Sequence, residues 1–193
     1  YARRYPGTPL ADRLRRRALA DYGEAERWSD LRALADSPPR GTALQCHYHR
    51  AWLDQRPEAA RRAGQELWNT GRSRPDACTP LFKALKKRGA LDDERVWQRL
   101  LLAFRTGNPG LMRYLAGQLE DSSLGRSGLQ RLYDYPAQIT REHLLRKLSP
   151  EREKALAAAT VHRLADQDPS AARSFLDSTR AAKLGDASVR AEL

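Results

Sequence analysis

Three times in this chain a side chain able to accept a backbone N–H is followed directly by proline, at Asn108-Pro109, Ser149-Pro150 and Asp168-Pro169. Proline in the first helical turn costs nothing, because the N–H it lacks is one the helix leaves unpaired and its φ is already helical. The preceding Asn, Ser or Asp caps the N–H groups that follow. Three helix starts are thereby predicted. Gly71, Gly89, Gly107 and Gly185 each follow an apolar periodic stretch, where a residue in the left-handed region closes a helix. The residues between these marks are helix formers: 29 Ala and 28 Leu stand against 3 Val, 1 Ile and 8 Thr, or 57 against 12. A substantial β-sheet is excluded.

Apolar spacing near 3.6 fills the intervals. Leu44, Tyr48, Ala51 and Trp52 line one stripe; Ala59, Ala60, Ala63, Leu67 and Trp68 line the next, with a short turn at residues 54–57 between them. That pattern predicts an αα-hairpin. Leu81 and Leu85, then Val96, Leu100 and Phe104, then Leu111, Leu115 and Leu119 repeat it with connections of a few residues. After a polar interruption at residues 121–128, helical stretches resume near Leu129, Thr140, Ser149 and Asp168. A helix pair recurring every ~30 to 40 residues predicts an all-α fold, an α-solenoid or superhelix of stacked antiparallel helix pairs, over residues 1–193 as one segment. An ordinary helical bundle is the competing architecture. Ala59, Ala60, Ala63, Ala157, Ala158, Ala159, Ala171 and Ala172 let helices approach closely, and Trp28, Trp52, Trp68 and Trp97 fill the gaps as core. A sugar-stacking platform is the functional alternative for the tryptophans.

A chain of 193 residues buries a core without metal or cross-links. No apolar run is longer than that at residues 100–104, which is far short of the ~20 residues of a membrane span. No membrane span is expected. Lys and Arg number 35 against 24 Asp and Glu, a net charge of +11, and 29 of the bases are Arg. Nucleic acid, an anionic membrane surface and an acidic polymer all suit that charge, which bears on association and not on fold. The chain begins at Tyr1 without an apolar leader, as a processed or excised piece would.

Cys46 and Cys78 lie in successive helical units that stacking could bring together, and an oxidising compartment would join them. Closing a loop of 78 minus 46, or 32 residues, is worth about 3.7 kcal/mol in the chain-entropy model. The competing arrangement is a zinc site of Cys46, His47, His49 and Cys78. It suffers because residue 47 leaves the helix face shared by 46 and 49, and the paired ligand spacing of zinc motifs is absent. Asp92, Asp93 and Glu94, and likewise Glu151 and Glu153, sit at helix starts where negative charge complements the dipole. His143 and His162 have no Ser, Cys or Asp at triad spacing, and no phosphate loop or nucleotide fingerprint occurs. No cofactor and no metal are expected.

Gln45-Cys46, the run Glu66-Leu67-Trp68-Asn69-Thr70-Gly71-Arg72-Ser73-Arg74-Pro75-Asp76-Ala77-Cys78, and Leu81-Phe82 resemble the superhelical U-shaped region of the soluble lytic murein transglycosylase family. The likeness continues through Gly107-Asn108-x-Gly110-Leu111 and Leu115-Ala116-Gly117-Gln118, and more weakly through Ala165-x-Gln167-Asp168 and Ala171-Ala172-Arg173. The resemblance implies a disulfide between Cys46 and Cys78. It also implies a periplasmic enzyme whose superhelix forms a ring with a separate lysozyme-like domain. That family cleaves the β-1,4 bond between N-acetylmuramic acid and N-acetylglucosamine, leaving a 1,6-anhydro end. One glutamate of a Glu-Ser motif serves as acid and then base, a variation on the carboxylate pair of glycosidases.

No Glu-Ser pair occurs in this sequence. Gly110-Leu111-Met112 superficially matches the family's Gly-Leu-Met-Gln, but Arg113 stands where Gln belongs and the flanking residues align with the superhelix. No catalytic residue is assigned. The expectation is a noncatalytic segment without the lysozyme-like domain, whose partners are peptidoglycan glycan strands and that domain elsewhere in the same protein. The alternative is a basic helical-repeat module for nucleic acid or protein. Its bases are scattered, no repeat carries a base-reading pair, and the 34-residue tetratricopeptide consensus is absent. No specific nucleic-acid partner is expected.

Overall fold

The computed structural model describes residues 7–119, 125–140, 148–178 and 181, and no strand occurs among them. Its helices are α1 (Pro9–Glu24), α2 (Trp28–Leu34), α3 (Thr42–Trp52), α4 (Pro57–Trp68), α5 (Thr79–Lys87), α6 (Asp93–Arg105), α7 (Pro109–Ala116), α8 (Gly125–Asp134), α9 (Pro150–Gln167) and α10 (Pro169–Leu176). Two 3-10 turns, Asp76–Cys78 and Pro136–Thr140, complete the order. The chain is all-α.

The three predicted helix starts are each capped by the side chain named. Asn108 accepts from the Leu111 N–H, Ser149 from that of Arg152, and Asp168 from those of Ser170 and Ala171. Thr8 and Pro9 start α1 in the same way, Thr8 accepting from the Ala11 N–H. Two of the glycine stops hold as well: Gly89 and Gly107 follow α5 and α6 at φ 69° and 74°. Gly71 differs. The α4 helix already ends at Trp68, and Gly71 is absent from the left-handed glycines. Gly185 lies outside the described residues.

The hairpin of α3 and α4 forms over the predicted stripes, with a correction in α4. Its buried face is Ala60, Gly64 and Trp68, at i, i+4 and i+8, while Ala59 points to solvent. Gly64 is packed so closely that a Cβ there would overlap Leu85 of α5. The α7 helix stops at Ala116, leaving Leu119 half-buried beyond it. Residues 125–128, expected within a polar interruption, already belong to α8. The stretch expected to resume near Thr140 is a 3-10 turn up to that residue, and its continuation lies outside the described residues.

By contact the chain divides into two compact units. The first contains α1–α5, where α3 packs with α1, α2, α4 and α5. Its aromatic core sets Leu19, Leu31, Ala35, Tyr48 and Ala51 against the half-buried Trp28 and Trp52. The second contains α6–α10 and residues 70–72. There α9 is surrounded by α6, α8, α10 and the turn Pro136–Thr140, and all six residues from Leu156 to Val161 are buried. A helix with no polar face over nearly two turns must be enclosed in this way. Its alanines at 157, 158 and 159 have the packing role expected of them.

Candidate functional site

The motif that carries the resemblance folds around the cysteines. The α3 helix turns Cys46 inward, and the 3-10 turn Asp76–Cys78 brings Cys78 to it; the sulfurs are bonded, with Cα atoms 4.8 Å apart and both residues buried. Pro75, with an extended backbone, sets the direction into the turn, and its carbonyl accepts from the Cys78 N–H at 2.9 Å. Arg74 reaches back and donates to the Leu67 carbonyl at 2.7 Å, satisfying an acceptor at the open end of α4. Trp68 meets Phe82 edge to face at 5.0 Å, which docks α4 onto α5. Every segment of the motif thus grips another.

The zinc alternative fails on this geometry, since the cysteine sulfurs are joined to each other. The His47 ring fills the space beside Gly23, where even a methyl group would overlap it, and lies 6.4 Å from the Trp28 ring. Its Nδ1 is buried without a hydrogen-bond partner. Burial pushes the pKa of His47 below its ordinary value against the opposing charge of Glu24, and does the same to His49 against Glu66. Among the described residues no group of three or more His, Cys, Asp or Glu side chains is placed to hold a metal ion.

A second constellation surrounds residues 70–72. Arg99, almost fully buried on the apolar face of α6, donates to the carbonyls of Thr70 at 3.2 Å and Arg72 at 3.5 Å. Thr106 and Asn108 both donate to the Gly71 carbonyl, at 3.1 and 3.3 Å. A Cβ on Gly71 would run into the Leu102 carbonyl oxygen and Thr106 Oγ1. That close approach explains the glycine, which does not close α4. Asn108, from the Gly107-Asn108-x-Gly110-Leu111 stretch of the resemblance, thus bonds to Gly71 of its Glu66–Cys78 run. Sequence reasoning misses Arg99. Its signal is an arginine three residues after Val96 and four before Ala103, in phase with the buried stripe.

The acids at the start of α6 do more than complement a helix dipole. Arg152 of α9 pairs with Asp93 at 2.7 Å and Glu94 at 3.7 Å, with its guanidinium 5.2 Å from the centre of the Trp97 ring. Other acids are similarly engaged: Asp21 with Arg17, Asp30 with Arg27, Glu58 with Arg61, and Asp54 with Arg88. His162, half-buried, lies 3.6 Å from the exposed Asp166 one turn along α9, and His143 is outside the described residues. Leu111 and Met112 of the misleading Gly-Leu-Met are core side chains. The tryptophans are engaged by the protein itself. Trp68 and Trp97 are buried, and Arg56 and Arg50 lie over Trp52 and Trp28 at 3.8 and 5.3 Å. These arrangements hold backbone and helices in place.

A stretch of 120 residues, 62% of this chain, is 36% identical to the soluble lytic murein transglycosylases of Salmonella typhimurium and Escherichia coli K12. Among solved structures, the 70-kDa soluble lytic transglycosylase of Escherichia coli superposes on 99% of the chain with a TM-score of 0.79 at 29% identity. The likeness is to soluble lytic murein transglycosylases, in sequence and in fold. An inactive mutant of the lytic transglycosylase Slt from Pseudomonas aeruginosa matches 88% of the chain with a TM-score of 0.72 at 28% identity. The chain spans about a fifth (19%) of the length of the curated lytic transglycosylases and 31% of the solved Escherichia coli chain. No family model matches it. No helix among the described residues is long and apolar enough to cross a membrane.

Proposed function

We propose that this chain is a noncatalytic helical segment, residues 1–193 together, of a periplasmic lytic transglycosylase that cleaves peptidoglycan. It serves as scaffold for a ring completed by a lysozyme-like domain elsewhere in the same protein, and it presents a contact surface to glycan strands. The observation that carries this reading is the superposition of 99% of the chain on a solved soluble lytic transglycosylase. Two further points support it. None of its ten glutamates stands in the Glu-Ser motif that the family's reaction uses, and Asp93 and Glu94 at the start of α6 are paired with Arg152. The buried Cys46–Cys78 bond suits an oxidising compartment.

The test incubates the purified chain with peptidoglycan sacculi, measures the bound fraction, and analyses the supernatant for 1,6-anhydromuropeptides. Binding without release is the expected result. Release of anhydro products by the chain free of contaminating enzyme overturns the noncatalytic role. Sequence-dependent binding of duplex DNA, with no retention on sacculi, would promote the nucleic-acid alternative.

A further inference from the structure

An open groove of about 740 Å³ runs along the first half of α1, between that helix and the loop that follows α2. Its charged lining is Arg13, Arg15, Arg16, Arg40 and Asp12, four bases and one acid, for a net charge of +3. Pro38 and Pro39 contribute a stiff apolar wall. The arginines divide by role. Arg15 is anchored, donating from Nε and from a terminal nitrogen to the Leu34 carbonyl at 3.1 and 2.6 Å, where it also satisfies the C-terminal end of α2. Arg13, Arg16 and Arg40 are exposed and have neither an ion pair nor a side-chain hydrogen bond among the described residues, although most acids elsewhere in α1–α4 carry a nearby arginine partner. Three unengaged guanidinium forks around one concavity have the geometry for bidentate bonds to carboxylate or phosphate.

We propose that this groove is a binding site for the carboxylate-bearing peptides attached to a glycan strand, held by Arg13, Arg16 and Arg40. The proposal rests on the peptidoglycan reading given above and names which part of that polymer the segment grips. Arginine forks accept phosphate as readily as carboxylate, and Asp12 decides between them. Its carboxylate has no partner among the described residues and stands in the same lining, so it repels a chain with one negative charge per repeat. A peptide can satisfy it with an amide N–H or an ammonium group; the sugar-phosphate backbone of DNA has no such donor. The volume lies within the ~300 to 1,000 Å³ of sites that enclose a small ligand, enough for a few residues of peptide.

The experiment measures binding of a soluble, uncross-linked peptidoglycan fragment with free carboxyl groups, and of the same fragment with those groups blocked as amides. The proteins compared are the wild type, the groove variant Arg13→Gln/Arg16→Gln/Arg40→Gln and the control variant Arg113→Gln/Arg131→Gln/Arg173→Gln. The control removes the same charge from exposed positions on α7, α8 and α10. The free acid should bind the wild type and the control at least about tenfold more tightly than the amide, and the groove variant should lose that preference. Equal affinity for acid and amide overturns the proposal, as does an equal loss in groove and control variants. Tighter binding of duplex DNA than of the free acid, abolished only in the groove variant, overturns it in favour of a phosphate chain. A groove variant that still binds sacculi like the wild type sinks the groove and leaves the scaffold reading standing; a wild type that binds no sacculi removes that reading.

Discussion

The two units solve the same packing problem with different materials. In the first, α3 is the central helix and its neighbours are held by large, half-covered aromatic groups and one covalent bond: Trp28 and Trp52 sit at the edge of the core, and Cys46–Cys78 ties α3 to the start of α5. In the second, α9 is the central helix and is enclosed, with six consecutive buried residues of which three are alanine. Where a helix can be surrounded, small side chains let its neighbours close in, and dispersion and burial suffice. A helix whose large side chains stay partly wet gains less from burial, and a cross-link that removes unfolded conformations supplies the difference.

Removing packing from the second unit should have the largest effect. Phe104 is completely buried and meets Tyr133 edge to face at 5.5 Å. Truncation by Phe104→Ala should cost about 4 kcal/mol, read by denaturant unfolding, with the greatest loss of hydrogen-exchange protection in α6 and α9. Reducing the disulfide, which closes a separation of 32 residues, should cost nearly as much, about 3.7 kcal/mol, with the loss concentrated in α3 and α5. If reduction lowers protection in α9 as much as in α3, the contrast between a stapled unit and a packed one is wrong.

A smaller effect separates local from distant roles within one residue. Asn108 accepts from the Leu111 N–H at 3.1 Å as a cap and donates to the Gly71 carbonyl at 3.3 Å as a tie. Losing both in Asn108→Ala should cost about 1 to 2 kcal/mol. Asn108→Asp keeps the acceptor and the cap but has no donor for Gly71, so it should recover only part of the loss. Full recovery in the aspartate variant would show that the tie to residue 71 contributes nothing.

This division marks what was legible in the sequence. Helix starts are local chemistry, complete within three or four residues, so Asn108-Pro109, Ser149-Pro150 and Asp168-Pro169 were read directly. The same local rule makes Gly71 a helix stop and fails, because the reason for that glycine is a carbonyl 31 positions away at Leu102 that no local pattern encodes. Ala59 is equivalent to Ala60 by pattern, and only the packing of α4 on α3 and α5 decides which of them is covered. The pairing of Arg152 with Asp93 spans 59 residues and was invisible for the same cause. The groove beside α1 escaped entirely. Its arginines come from a helix and from a loop, and without the fold they dissolve into a general excess of base.

Acid should distinguish the units more gently, as a slope and not a step. The α3 helix carries His47 and His49, both held below the ordinary histidine value of 6.5 chiefly by burial. A depressed folded-state pKa means that the unfolded chain takes up the proton first, so acidification favours unfolding. The contribution of neutral His47 is therefore fully present above pH 6.5 and is lost progressively as pH falls below that value toward the lower folded pKa. Glu24 opposes the shift at His47, and Glu66 at His49, which limits the slope. Between pH 7 and pH 5, hydrogen-exchange protection in α3 should fall by more than that in α9, and His47→Gln should flatten the dependence. If the variant keeps the wild-type slope, the unpartnered imidazole beside Gly23 is not its source, and attention moves to His49.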